Sequence, residues 1–358
     1  MKAIRNVGSY LFGPGALGRL EEVLRGDSRV PAGPVVYLVD HFFAGFRAPL
    51  DKLPQRAQDR LVFIDTTHEP STGQVDQMAA SVRQELGGLP GVIVGMGGGA
   101  TLDMAKAVSN LLTNGGQASD YQGWDLVRVP GVYKIGVPTL SGTGSETSRT
   151  CVLTNYETGV KLGMNSDFSV FDQLILDPEL TATVPREQYF HTGLDTYFHC
   201  METLNGRTRN GIVDAYSEKA IDLCRQVFLQ GDMQDQQSRE NMMIASLMGG
   251  AAAGNTGLVH PLSAGLSVVL GTHHGLANCL AMGPLAEFYP AEHAEFLAMA
   301  RAQGISLPSG LGASLSDEQI EKLYASSIVH AKPLANHLGE GFRDILTPAR
   351  MAALFRAM

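Results

Sequence analysis

Short apolar runs alternate with amphipathic stretches over the first half of the chain. Residues 35–39 are an unbroken apolar run that stops at Asp40, which predicts a buried strand. Residues 61–64, 91–95 and 133–137 repeat the signal. Between them, apolar positions recur at helical spacing over 72–86, where Gly87 and Gly88 end the pattern, and over 101–112. Strands alternating with helices imply a parallel sheet covered on both faces. The pattern changes near Pro185. From Arg186 onward helical periods fall near 187–204, 210–229, 235–253 and 314–332, with almost no strand signal, and residues 307–310 read as a surface loop. The expected fold is an α/β domain over residues 1–185 followed by an all-helical domain over 186–358.

A second pattern is a run without charge. Residues 241–286 hold no Asp, Glu, Lys or Arg in a chain that is 18% charged. Asn255, His260, Pro261, His273, His274, Asn278 and repeated glycines interrupt it, so it reads as the buried heart of a domain and not as a membrane span. A lone buried histidine is usually a satisfied core side chain. Here, however, His260 and His274 coincide with an upstream pair, Asp195 and His199, whose spacing of four puts both on one face of a helix. One carboxylate and three imidazoles suit Zn²⁺ or Fe²⁺.

Composition narrows the partners. A length of 358 residues favours two domains. The net charge of −9 argues against nucleic acid or an anionic membrane as the main partner. Cys151, Cys200, Cys224 and Cys279 lack CxxC spacing and read as free thiols in a reducing compartment. The first residues carry no hydrophobic signal core, so a cytoplasmic location is expected. A homodimer is the expected assembly on frequency alone.

Two glycine-rich segments each follow a predicted strand. Gly97, Gly98 and Gly99 lie between a strand and a helix, where backbone amides and the helix dipole can meet a pyrophosphate. A tight strand-to-helix turn would need the same residues, and Asp103 could be no more than an N-terminal helix charge. Residues 138–146 interleave hydroxyls and glycines that could bind phosphate or ribose, or form a polar surface loop. Asp40, at the end of its strand, could accept from an adenosine ribose, which favours NAD over NADP because a 2′-phosphate would meet a like charge. Aspartate is also a common turn residue.

Taken in order along the chain, these pieces resemble the iron-containing, or group III, metal-dependent alcohol dehydrogenases. The matching stretches are residues 97–103, residues 138–146, Gly193-Leu194-Asp195 with His199, and Gly257-Leu258-Val259-His260 with His274-Gly275. The resemblance implies a dehydroquinate synthase-like architecture, with an N-terminal dinucleotide-binding domain and a helical metal domain meeting at a cleft. It also implies site residues. Asp195, His199, His260 and His274 would be metal ligands. Gly97, Gly98, Gly99 and Asp103 would form the pyrophosphate loop. Thr139, Ser141, Thr143, Ser148 and Lys161 would contact the cofactor, with Asp40 on the ribose. Three departures stand out. The asparagine expected after the second strand is replaced, near Glu69-Pro70-Ser71. Ala264 occupies a position where members often carry a histidine that helps with protons, and His273 replaces the usual proline, offering a substitute acid or base.

The implied reaction is metal-dependent oxidation of an alcohol with hydride transfer to NAD. Residues 260–264 and 271–274 resemble enzymes that oxidise the terminal hydroxyl of the octulosonic sugar acid Kdo, a step in preparing lipopolysaccharide sugars. An acidic sugar needs a cation, for which Arg149, Arg207 and Arg209 are candidates; Arg149 lies just beyond the 143–146 segment, and a salt bridge would account for it equally. Other readings are an oxygen-dependent oxidation, a dehydroquinate synthase-like lyase or polyol-phosphate dehydrogenase, and a binding protein without chemistry, for which Ala264 is the main support. The lyase and polyol-phosphate readings require a Lys/Arg-rich phosphate pocket, which the charge-free run does not offer.

Overall fold

The computed structural model describes residues 5–254 and 256–358. Residues 1–4, where a leader was sought, and Asn255 lie outside the described residues. Contacts divide the chain into two units. The first runs to Leu140 and adds Ser145–Glu157 and Leu162–Thr183; the second holds Ser141–Gly144, Thr158–Lys161 and Val184–Met358.

The first unit carries nine strands: β1 (Ser9–Phe12), β2 (Val35–Asp40), β3 (Arg60–Ile64), β4 (Val92–Gly97), β5 (Gly123–Trp124), β6 (Tyr133–Pro138), β7 (Thr150–Asn155), β8 (Val160–Asn165, whose first two residues group with the second unit) and β9 (Gln173–Leu176). Six form a sheet in the order β1-β9-β6-β4-β2-β3, parallel at every pair. β4 is buried at all six positions, as a strand covered on both faces must be. The helices are α1 (Leu20–Gly26), α2 (Phe42–Gly45), α3 (Thr72–Leu86) and α4 (Gly99–Asn114). Ser71 caps α3 in a reciprocal box with Gln74, and Gly87 ends it in the left-handed region at φ 64°. The apolar pattern missed β1 and β9, which are four residues each, and the second sheet of order β5-β8-β7.

The order of the main sheet fixes where a ligand can bind. From β2 the chain moves outward to β3 and then returns to place β4 on the other side of β2. The strand order therefore reverses between β2 and β4, and a crevice opens at their carboxyl ends. Asp40 closes β2 and Gly97 closes β4 at that point.

The second unit is helical: α5 (Arg186–Asn205), α6 (Gly211–Arg225, continued by a π-helical turn over Gln226–Gln230), α7 (Gln236–Ala252), α8 (Val259–Leu270), α9 (His274–Met282), α10 (Pro290–Ala302), α11 (Asp317–Ile328), α12 (Ala331–Leu338), α13 (Phe342–Ile345) and α14 (Pro348–Arg356). The pattern over 314–332 thus resolves into α11 and the start of α12. α5 packs on α6, α7 and α9, and α8 packs on α9 and α11. The charge-free run supplies most of α7 with α8 and α9, whose inner faces join the core with Tyr189, Phe198 and Phe296. No helix among the described residues is long and apolar enough to cross a membrane.

Two polar features generate tests. Fully buried Lys106 on α4 donates to the carbonyls of Ser145 (2.8 Å) and Thr150 and lies 3.2 Å from Asp103. Asp103 in turn accepts from Ser145 Oγ at 2.5 Å and from Val152 N at 2.8 Å. Breaking a buried ion pair leaves the other charge unsatisfied. Lys106→Met is expected to lower the urea-denaturation free energy by about 3 kcal/mol; a change below about 1 kcal/mol would show that the amine contributes little. The second feature is His330, whose Nε2 is sealed from solvent. Burial, then Lys161 and His260, push this imidazole down to about 4 from an ordinary 6.5. A depressed value means stability that is complete above pH 6.5 and is lost as pH falls through 4. Replacing His330 with Gln should shrink the difference in unfolding free energy between pH 7 and pH 4 by roughly 3 kcal/mol. An unchanged difference would mean that the ring is not buried neutral.

Candidate functional site

The second unit brings together a group of metal-ligating side chains. α5 carries Asp195, His199 and Glu202, spaced to share one helical face. α8 begins one residue before His260, and α9 begins at His274, so both imidazoles enter from the first turn of a helix. Asp195, His260 and His274 offer ligand atoms that all lie within 4.8 Å of one another. His260 Nε2 stands 3.1 Å from Asp195 Oδ1, and His274 Nε2 stands 3.7 Å from Asp195 Oδ2. His199 lies alongside with Nδ1 3.5 Å from Asp195 Oδ1, its ring stacked on His260 with centroids 4.2 Å apart.

Asp195 is 1% exposed, which a carboxylate tolerates only among donors or cations. Burial would raise its pKa, but His199, His274 and His260 hold the carboxyl well below the usual range. Burial also opposes charge on His260, yet Glu202 and Asp195 on either side push it up to about 9. Burial pushes His199 down to about 4, with Asp195 opposing. At neutral pH the group therefore holds an ionised Asp195, a charged His260 and a neutral His199. The donor set fits a divalent ion: one carboxylate and convergent imidazoles, with His199 Nδ1 buried and without a hydrogen-bond partner among the described residues. Such an ion would displace the His260 proton.

Three residues around this group escaped the sequence analysis. Asn278, one turn after His274, donates from Nδ2 to Asp195 Oδ1 at 2.8 Å. Glu202 accepts at Oε2 from His260 Nδ1 at 2.5 Å, and Tyr289 lies behind it. Glu202 shares a helical face with Asp195, a pattern that a solvated glutamate would also satisfy. For Asn278 the signal is its place in the charge-free run four residues after His274; for Tyr289 the sequence carries none.

His273 stands apart from the convergent donors. It is an exposed N-cap residue whose carbonyl accepts from Ala277 N at 2.9 Å. Ala264 is buried one turn beyond His260.

In the first unit the crevice holds the nucleotide candidates. Gly98 is the extended N-cap of the 16-residue helix α4, and Gly99 opens it. A Cβ on Gly97 would meet Thr101 and the Cβ of Asp40, so only glycine lets β4, α4 and the end of β2 come this close. Asp40 Oδ1 accepts from Phe42 N at 3.0 Å, and its carboxylate accepts from Thr66 Oγ1 at 3.2 Å. It therefore serves the turn at the carboxyl end of β2. Thr139 donates its backbone N–H to Gly97 O at 3.0 Å.

Other expected contacts are committed elsewhere. Both oxygens of Asp103 are engaged by Ser145, Val152 and Lys106, so it braces the 145–152 segment. Ser148 Oγ accepts from Lys106 at 3.3 Å and donates to Thr150 O at 3.1 Å. Arg149 is held by two aspartates. Its guanidinium is paired with Asp125 and, at 3.0 Å, with Asp167, so its charge is spent within the first unit.

Ser141–Gly144 group with the second unit. Gly142 N and Gly144 N donate to Ser246 Oγ at 2.8 and 3.3 Å, and Thr196 Oγ1 donates to Gly142 O at 2.7 Å. Gly142 has φ 139°, and a Cβ there would strike the Thr192 carbonyl. Ser141 Oγ is buried with no hydrogen-bond partner among the described residues. Thr143 and Lys161 sit in the same unit, Lys161 being 4% exposed.

Comparison with known proteins agrees with both halves of this picture. Residues 8–178 match the family model for iron-containing alcohol dehydrogenase, and residues 189–327 match the C-terminal model of the Fe-containing alcohol dehydrogenase family. The chain is 39% identical over 192 residues to the sulfoacetaldehyde reductase of Bilophila wadsworthia (strain 3_1_6), covering 52% of this chain and 49% of that one. It is 32% identical over 271 residues to the 4-hydroxybutyrate dehydrogenase of Cupriavidus necator, covering 68% and 70%. The chain spans about half the length of several curated relatives that it matches. In fold it is similar to a crystal structure of 1,3-propanediol oxidoreductase, with a TM-score of 0.82 and 24% identity over 99% of both chains. Together with the Asp195, His260 and His274 group and the glycine crevice, these matches show that the chain belongs to the iron-containing alcohol dehydrogenase family.

Proposed function

We propose that this protein is a metal-dependent oxidoreductase that interconverts a primary alcohol and its aldehyde with NAD. The observation that carries the proposal is the convergence of Asp195, His260 and His274 on one point. The overall reaction moves a hydride from the alcohol carbon to nicotinamide and releases the hydroxyl proton, giving aldehyde, NADH and H⁺. Asp195, His260 and His274 would hold the metal, with His199 beside them; when bound, the ion supplies Lewis-acid polarisation of the substrate oxygen. Asn278 fixes the Asp195 carboxylate through its 2.8 Å hydrogen bond. Gly98 and Gly99 would present backbone N–H groups and the α4 dipole to a pyrophosphate. Asp40 would accept from a ribose hydroxyl and repel a 2′-phosphate, which favours NAD over NADP.

Two observations support an acidic substrate within that class. The two curated relatives named above are a sulfoacetaldehyde reductase and a 4-hydroxybutyrate dehydrogenase, and both names specify an anionic molecule with an aldehyde or hydroxyl group. The stretches 260–264 and 271–274 resemble enzymes of the octulosonic acid Kdo, a sugar acid. Arg149, held by two aspartates, has no part in this reading.

The test is nicotinamide reduction by metal-stripped protein reloaded with Fe²⁺ or Zn²⁺, over simple alcohols, hydroxy acids and Kdo. Turnover is expected only with metal, and Asp195→Asn should lose both metal and turnover, by at least about 100-fold. Because the metal displaces the His260 proton, uptake should strengthen as pH rises toward 9. Absence of nicotinamide turnover in either direction, with either metal and every substrate, would overturn the proposal. A preference for Kdo over neutral alcohols would establish the sugar-acid reading, and the reverse preference would remove it.

A further inference from the structure

Glu202 is the most completely enclosed charged group in the second unit, at 0% exposure, and its surroundings are one-sided. Oε1 receives the backbone N–H of Val259 at 2.5 Å and the Tyr289 hydroxyl at 3.4 Å. The Tyr289 oxygen is itself occupied as an acceptor by Leu258 N at 3.1 Å, which directs its proton to Glu202. Oε2 faces His260 Nδ1 at 2.5 Å. Each hydrogen-bond partner found among the described residues thus donates, and the carboxylate accepts at both oxygens. The space is reserved for it, because a Cβ on Gly257 would meet Tyr289 Oη and Glu202 Oε1. Val259 is the first residue of α8, so the carboxylate also complements the positive end of that helix.

We propose that Glu202 is a positioning residue that sets the tautomer of His260. It keeps the proton on Nδ1, so that Nε2, which faces Asp195 at 3.1 Å, is the atom left to bind metal. An imidazole carries one proton shared between two nitrogens, and the partner of one decides the state of the other. This inference rests on the metal-holding reading of Asp195, His260 and His274.

The geometry separates a tautomer-setting role from a packing role through one substitution. In Glu202→Gln the amide must turn one oxygen and one NH₂ toward the same neighbours. The Val259 N–H cannot become an acceptor, so the amide oxygen takes the Oε1 position. The NH₂ group then faces His260 Nδ1 and donates to it. That forces the proton onto Nε2, the ligand atom. Glutamine fills the space of glutamate but selects the wrong tautomer, whereas Glu202→Ala leaves the tautomer unselected.

The experiment strips the full-length protein of metal and measures Zn²⁺ affinity by chelator competition for wild type, Glu202→Ala and Glu202→Gln. Nitrogen-15 NMR of labelled histidine then reads the His260 tautomer in the Zn²⁺-loaded wild type and in the metal-free variants. Glu202→Ala should weaken Zn²⁺ about 10- to 100-fold. Glu202→Gln should weaken it at least as much and show the proton on Nε2. A packing role reverses the order, with glutamine close to wild type and alanine far below it. Glutamine binding within about twofold of wild type, which is within measurement error of no effect, would overturn the inference. If either variant does not fold, the Zn²⁺-loaded wild type still decides, because a His260 proton on Nε2 there would also overturn it. Failure of the wild type to bind Zn²⁺ would instead remove the metal-holding reading, and this inference with it.

Discussion

Asp195 is a negative charge with 1% of its surface in contact with solvent, and the second unit is arranged around that fact. A buried carboxylate is stable only where donors or cations replace its water. The replacement comes from three helices: His199 from α5, His260 from α8, and His274 with Asn278 from α9. His260 compensates the charge when no metal is bound, and in the proposed function the same group would hold the ion. Electrostatic demand in the empty site and coordination in the loaded one therefore call for one geometry.

That geometry has a supporting layer. Glu202 stands behind His260 and Asn278 stands between Asp195 and His274, whose Nε2 lies 3.4 Å from the Asn278 amide. His260 is held between two carboxylates, which keeps its ring orientation fixed and raises its proton affinity. A metal ligand placed this way loses little rotational freedom on binding. The charge-free run from 241 to 286 follows from this arrangement: the helices α7, α8 and α9 form the apolar wall of the site, and a further charge there would find no partner.

The first unit meets a different constraint. Its parallel sheet must bring a strand end, a turn and a helix start within reach of one ligand, and glycine is the residue that permits it. Gly97 is required by the approach of Thr101 and Asp40. The loop after β6 is held by Lys106 and Asp103, whose charges are consumed internally. Charged residues near such a loop can thus serve its shape, as Asp103 does through Lys106, Ser145 and Val152, and as Arg149 does through Asp125 and Asp167.

The sequence by itself determined the periodicities: parallel strands, then helices, with the change near Pro185. It also determined the donor types, because Asp195 and His199 share a helical face by spacing alone, and because the imidazoles His260 and His274 lie in a run without charge. These features are local or compositional, and local features survive in one dimension. Only the tertiary structure decided which polar residues meet. Lys106 looks like any helix lysine until its amine reaches carbonyls 39 and 44 residues away, and Arg149 like a free cation until Asp125 and Asp167 close on it. Glu202 acquires its place only when the start of α8, 57 residues on, is laid against α5. The physical reason is that hydrogen bonds and ion pairs depend on distances of about 3 Å, which separation along the chain does not specify.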